Sequence, residues 1–398
     1  MNLFLLLAGL YLVTFFFGRY LERIRVPWIF TSLLLGLILS FFPVLKETVQ
    51  TSTFQFLAWL GMYFLLFLIG FRLDLKEIKK LEKYIFFGTF SIILSEALLG
   101  GTLIHFGFHQ RWFFSFIISL SFATVGEAIL IPILDEFKLL KTKLGQAIVG
   151  IGTLDDIIEV FLVILIIIVL PFFLPQQEIT VQRNELFIIF FSLVLLFFLA
   201  FGALKIERSL ILGRYEKMEL IFLLLIALFF LFVGIGDLAE ASALGALLAG
   251  FVIKNFLPKE RIRFIEAEIR GLAYGFFGPI FFFWVGLTTN FVYLLKFPGL
   301  VLLLVLITYC AKVISAFLAT KKLLGKKSSL LLGIALGARF STSIVIIKFL
   351  FEKGLINESL YSVLIGSTTI FTFLVPILLA FLLKKFNLFG SDKQSIIK

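Results

Sequence analysis

Cysteine, histidine and charge are all scarce in this chain. Of its 398 residues one is cysteine, two are histidine and 15% are charged. The single thiol, Cys310, excludes an internal disulfide and says nothing of the redox compartment. One cysteine and two histidines supply no zinc-type ligand spacing, and no cofactor is implied. Basic residues outnumber acidic ones by 36 to 25, for a formal net charge of +11. Nucleic-acid binding would need that charge on the face of a folded soluble domain, and the sequence offers none. The N-terminus lacks the basic n-region and small-residue cleavage site of a secretory signal. Arg19, Arg23 and Arg25 follow its apolar run instead of preceding it.

What is abundant is apolar surface. Hydrophobic residues make up 61% of the chain and the mean hydropathy is +1.12, far above a soluble domain. This predicts an all-α polytopic membrane protein. Stretches long enough to cross the hydrocarbon at about 1.5 Å per residue give thirteen transmembrane helices, near 3–18, 26–42, 54–71, 84–105, 112–134, 144–174, 186–204, 218–236, 240–257, 272–294, 299–319, 329–350 and 360–383. They form one transmembrane domain over 1–383, followed by a short tail, 384–398. One set of alternate loops, with the tail, holds 28 lysines and arginines; the opposite set holds Lys46, Arg111, Arg183, Lys296 and Lys353. The richer side is the cytoplasmic one by the positive-inside rule, which puts the N-terminus outside and the C-terminus in the cytoplasm of a cell that carries the protein in its inner membrane. The same bias accounts for the basic pI. The segment PKERIRFIEAEIR, 258–270, alternates charge and apolar residues at helical spacing and is predicted to lie along the interface.

Few polar groups fall within the spans. They are the bases Lys312, Arg339 and Lys348 and the acids Glu96, Glu127, Asp155, Asp156 and Glu159. A charge near the bilayer centre costs about 2.5 to 3.5 kcal/mol on insertion scales, so such residues are kept for use. Six helices, a linker helix (186–204) and six more make an inverted 6+1+6 repeat, in which the fifth and twelfth helices correspond. Both carry the same defect. The fifth holds Ser119, Ser121, Thr124, Gly126, Glu127 and Pro132, and the twelfth Gly337, Arg339, Ser341, Thr342 and Ser343. Small and hydroxylated residues at matching depths predict two broken helices that unwind where they cross; unwound backbone at that depth must line a cavity. Ordinary small-residue packing is the competing explanation for either helix taken alone.

The run ILDEFKLLKTKLGQAIVGIGTLDDI, together with YGFFGPIFFFWVGL (274–287) and VLITYCAKVISAFL (305–318), resembles the monovalent cation:proton antiporter superfamily, in the branch holding bacterial sodium/proton exchangers and potassium efflux systems. The resemblance covers nearly the whole chain, and its most specific elements are Asp155-Asp156 and Lys312. It implies a secondary transporter, not an enzyme, that exchanges Na+ or K+ for protons by alternating access. It also implies a homodimer, with dimerising scaffold helices near 1–71 and 218–294 and mobile core helices near 84–174 and 299–383. Asp156 would take either a proton or the metal cation, while Asp155 pairs with Lys312. The sequence departs from the family at Thr124-Val125, where a serine-threonine pair is common, and at the additional acid Glu127. It ends without the nucleotide-binding domain of the glutathione-gated members.

Adjacent helical positions point about 100° apart, so Asp155 and Asp156 serve separate roles, while Asp155 and Glu159 share a face. Oxygen ligands for the cation would come from Asp156, Thr124, Thr153 and the backbone of the breaks. Arg339 would neutralise Glu127 or cap the crossing helix. Glu96 is read as a structural hydrogen-bonding partner ahead of a transport residue, and Glu159 as either a proton relay or a partner for a base. Lys348, near its helix end, is read as snorkelling, and His105 and His109 as loop residues. Two rival functions compete with this reading. A channel would select around a continuous pore, whereas paired carboxylates between inverted broken helices suit a carrier. GIGD at 234–237 matches one element of intramembrane aspartyl proteases, but the second aspartate and the Pro-Ala-Leu element are missing and Asp237 falls in an external loop.

Overall fold

The structure, a computed structural model, describes residues 2–72, 83–140, 142–152, 154–155, 158, parts of 191–202, 218–238, 241–257, 259–339 and 341–386. No strand occurs among them. The helices form two compact units, one of Met1–Gln50, Leu75–Leu162 and Phe282–Lys398, the other of Thr51–Asp74 and Val163–Phe281. Seven helices of the described residues are long and apolar enough to cross a membrane. The short apolar helices Trp112–Phe122, Glu127–Glu136 and Ser341–Glu352 are individually too short to count among them.

In the second unit, Ser52–Arg72 packs on Ser242–Phe256, which packs on Met218–Leu238. In lipid, where apolar burial does little to drive association, such contacts rest on close backbone approach at small residues. Here Gly70 lies against the Leu247 carbonyl and Gly250 against that of Phe67, so a Cβ at either would collide with main chain. The Phe64 ring stacks on Phe229 and Phe277, with centroids at 4.3 and 5.0 Å. Arg72 reaches Glu266 at 2.9 Å.

The predicted interfacial segment is the helix Lys259–Arg270, and it does not end there. The helical path continues through a π-helical stretch, Gly271–Phe277, to Thr288. The cause is local: Pro279 has no amide to donate, and its ring would strike the carbonyl of residue 275, so the preceding turns widen.

In the first unit, Lys83–Phe108 lies along both Pro298–Leu336 and Trp112–Phe122. Gly100 permits this three-way approach, since a Cβ there would overlap the Ser119 hydroxyl and sit 3.2 Å from Thr308 Cγ2. Glu96, one turn earlier, is thereby carried to the junction of all three helices. Pro298–Leu336 was predicted as parts of two helices with a basic loop between them. The division is present: two helices meet at a kink at the non-helical Gly325, whose φ of 79° favours glycine, and the loop between them is shorter than expected.

A pair at the end of the half-helix Glu127–Glu136, beyond the apolar run, ties that end to the turn after the first helix. Arg25 donates to Glu136 through Nε at 2.9 Å and Nη2 at 2.5 Å. These bonds hold the Glu136 carboxyl below its ordinary 4.5. A carboxyl lowered on folding contributes stability above its unfolded value and loses it as pH falls through the folded one. With Glu136 53% exposed, solvent screening limits the pair to about 1 kcal/mol. Arg25→Ala is accordingly expected to lower the melting temperature slightly at neutral pH, the gap closing on acidification below the carboxylate range. A gap that persisted in acid would refute this account.

Candidate functional site

Both predicted breaks are present and they touch. The first separates Trp112–Phe122 from Glu127–Glu136; the second separates Pro298–Leu336 from Ser341–Glu352. The Gly126 amide of one donates to the Ala338 carbonyl of the other at 2.7 Å, and the Thr124 hydroxyl is hydrogen-bonded to that of Ser343. Interrupting a helix in mid-membrane frees carbonyls on one side of the gap and amides on the other, and each set carries part of the helix dipole.

The charged residues sort themselves accordingly. At the carbonyl end of the first break, Arg339 Nη1 donates to Phe122 O and Lys312 Nζ to Ala123 O. At the amide end, Val125 N donates to Asp155 Oδ2 at 2.6 Å. Cations thus meet the negative end of one half-helix and a carboxylate the positive start of the next. The Arg339 guanidinium lies between the rings of Phe122 and Phe371, at 3.7 and 4.3 Å from their centroids, and its carbonyl accepts a bond from Thr372 Oγ1 at 2.9 Å. Glu96 completes the set: one carboxylate oxygen takes Arg339 Nη2, and the other lies 3.0 Å from Lys312 Nζ. Glu96, Lys312 and Arg339 are at most 1% exposed and Asp155 is 5% exposed.

Several expectations need correcting. Lys312 is ion-paired with Glu96, not Asp155, because the packing around Gly100 delivers Glu96 to it while the Val125 amide occupies Asp155. Arg339 caps the crossing helix, one of its two predicted roles, and its carboxylate partner is Glu96. Lys348 does not snorkel. It is fully buried, 2.7 Å from Glu352 one turn on, donates to Thr288 Oγ1 at 3.0 Å and lies 3.7 Å from the Trp284 ring centroid. A counter-ion at i+4 and an aromatic face replace the water that snorkelling would seek. His105 stacks on Trp112 and lies 2.6 Å from the Gln110 carbonyl, as fits a loop border. Asp237 accepts a bond from Ser242 at 2.8 Å. Asp156, Thr153 and Glu159 lie outside the described residues, as does the side chain of Glu127.

Sequence reasoning missed the central place of Glu96. The signal was available in the charge count, since two buried bases require anions and Asp155 can serve only one neighbourhood.

A family model described as "Sodium/hydrogen exchanger, transmembrane" matches residues 11–385. The chain belongs to the sodium/hydrogen exchanger family. It is therefore a membrane transporter and not an enzyme, and the protease reading falls. A relative from Methanocaldococcus jannaschii named "Probable Na(+)/H(+) antiporter 3" is 26% identical over 378 residues, covering 92% of each chain. The Bacillus subtilis protein named "K(+)/H(+) antiporter subunit KhtU" is 27% identical over 310 residues, 77% of this chain and 74% of that one. Among solved structures, the sodium proton antiporter MjNhaP1 of Methanocaldococcus jannaschii superposes with a TM-score of 0.63 at 16% identity, over 96% of this chain and 100% of that one. At that identity the match speaks for the fold alone.

Proposed function

We propose that the protein exchanges a monovalent cation, Na+ or K+, for protons across the membrane by alternating access. The observation that carries this is the contact between two mid-membrane helix breaks, Gly126 N to Ala338 O, with four buried ionisable side chains around it. Membership of the family and the names of its relatives point the same way, one relative being named for sodium and another for potassium. In this reading Asp156 is the exchanging carboxylate, with Thr124, Thr153 and break carbonyls as further oxygen ligands. Asp155, Lys312 and Arg339 supply supporting charge, as do Glu127 and Glu159.

The finer architecture is part of the same proposal. Thirteen spans in an inverted 6+1+6 arrangement put the N-terminus outside and the C-terminus in the cytoplasm. A core near 84–174 and 299–383 moves against a dimerising scaffold near 1–71 and 218–294. The broken helices and the four buried charges belong to one compact unit, which also takes in Met1–Gln50 from the proposed scaffold.

The test is a proteoliposome assay that reads internal pH while Na+, K+ or Li+ is added outside. Proton movement driven by Na+ or K+ is the expected result. Intact, reconstituted protein that moves protons with none of the three would end the proposal.

A further inference from the structure

Resting on the exchange reading above, we infer that Glu96 is a positioning residue for cation exchange. Its carboxylate holds Lys312 and Arg339 on the carbonyl end of the first break and so sets the charge that an arriving cation meets. Glu96 stands on Lys83–Phe108, an unbroken helix that the repeat does not pair with either break. Each of its oxygens serves a different cation, and each cation spends a further donor on a different carbonyl of the break, Ala123 or Phe122. The backbone of Glu96 is tied to the same half-helix, its carbonyl accepting a bond from Ser119 Oγ at 3.0 Å.

A packing role alone is a poor account of this arrangement. Well-packed apolar residues in place of a buried ion pair are often neutral or stabilising, so three fully buried charges are not needed to fill space. The charge count gives the alternative. Glu96 and Asp155 balance Lys312 and Arg339, leaving the described part of the site neutral. Without the Glu96 charge that balance shifts by one unit toward positive, which weakens the hold on any cation brought to the breaks. The two bases also lose the anion that aims them at Phe122 and Ala123, and the cap on that half-helix loosens.

Glu96→Gln, Glu96→Asp and the wild type should be compared in proteoliposomes with whichever of Na+ and K+ the wild type exchanges faster. Glu96→Gln is expected to raise the half-saturating cation concentration by about tenfold or more, the effect of one unit charge a few ångström away at a buried site's effective dielectric. Glu96→Asp, which keeps the charge, should stay within about threefold. A wild-type half-saturation in Glu96→Gln, or an equal defect in Glu96→Asp, would overturn the inference while leaving exchange intact. Thermal unfolding of the purified proteins gives an answer that does not depend on transport. Glu96→Gln should melt lower, and Glu96→Gln combined with Lys312→Gln should recover part of the loss by restoring the charge balance. No recovery would count equally against Glu96 as the holder of the two bases. A wild type that moves no protons would instead remove the exchange reading, and the melting comparison would still decide what Glu96 holds.

Discussion

Arg339→Met is expected to lower stability by about 3 to 5 kcal/mol, the range for removing one partner of a buried ion pair, and to abolish exchange. Three things go at once. The Phe122 carbonyl loses its donor at the end of a helix, Glu96 keeps only Lys312, and the slot between Phe122 and Phe371 loses the planar cation that fills it. Methionine matches the arginine stem in length and apolar bulk, so the loss reports charge and hydrogen bonding more than a cavity. Arg339→Lys separates the two: it keeps the charge but cannot bond Phe122 and Glu96 through a rigid fork or set a planar cation against the two rings. It should fall between the wild type and Arg339→Met both in melting temperature in detergent and in proton flux. An Arg339→Met protein as stable and active as the wild type would mean that the cap on the first break is dispensable.

The breaks themselves were readable from the sequence because their cause is local. Runs such as FATVG and GARFSTS place glycine, hydroxyls and β-branched residues in the middle of apolar stretches, where a continuous helix would be favoured by leucine and alanine. Which charges would meet there was not readable. The Glu96–Lys312 and Glu96–Arg339 contacts join residues 216 and 243 positions apart, and the feature that brings them together is Gly100, a glycine that looks unremarkable within its own helix. Lys348 misled for the opposite reason. Lys348 and Glu352 look locally like a surface i,i+4 pair, and only Trp284, Thr288 and Tyr361 from distant segments show that the lysine is enclosed.

The junction answers a problem that every mid-membrane break creates. Free carbonyls and amides in lipid cost several kcal/mol each unless partnered. Here the carbonyl side is answered by cations and the amide side by a carboxylate and by the other break. Such a crossing is held firmly at its ends without consuming every polar group nearby. Thr124 and Ser343 bond each other through hydroxyls that keep lone pairs to offer. Asp155 accepts from the Val125 amide through one of its oxygens, and in the reading proposed above the carboxylate that trades partners is its neighbour Asp156.

Asp156→Asn is therefore expected to reduce exchange to the level of protein-free liposomes for every cation tested, with little change in melting temperature. Asparagine preserves the shape and one oxygen ligand, but it takes up no proton near neutral pH and offers a bound cation no balancing charge. Asp155→Asn should behave differently. It removes the charge from the start of Glu127–Glu136 while leaving an oxygen that can still accept from Val125, at a cost of about 1 to 2 kcal/mol in stability, and residual exchange should survive. The contrast is measured by pairing each variant's proton flux with its thermal unfolding in the same lipid. If Asp156→Asn exchanged normally while Asp155→Asn was silent yet equally stable, the roles of the two aspartates would have to be reversed, and the Val125 contact would belong to the transporting group.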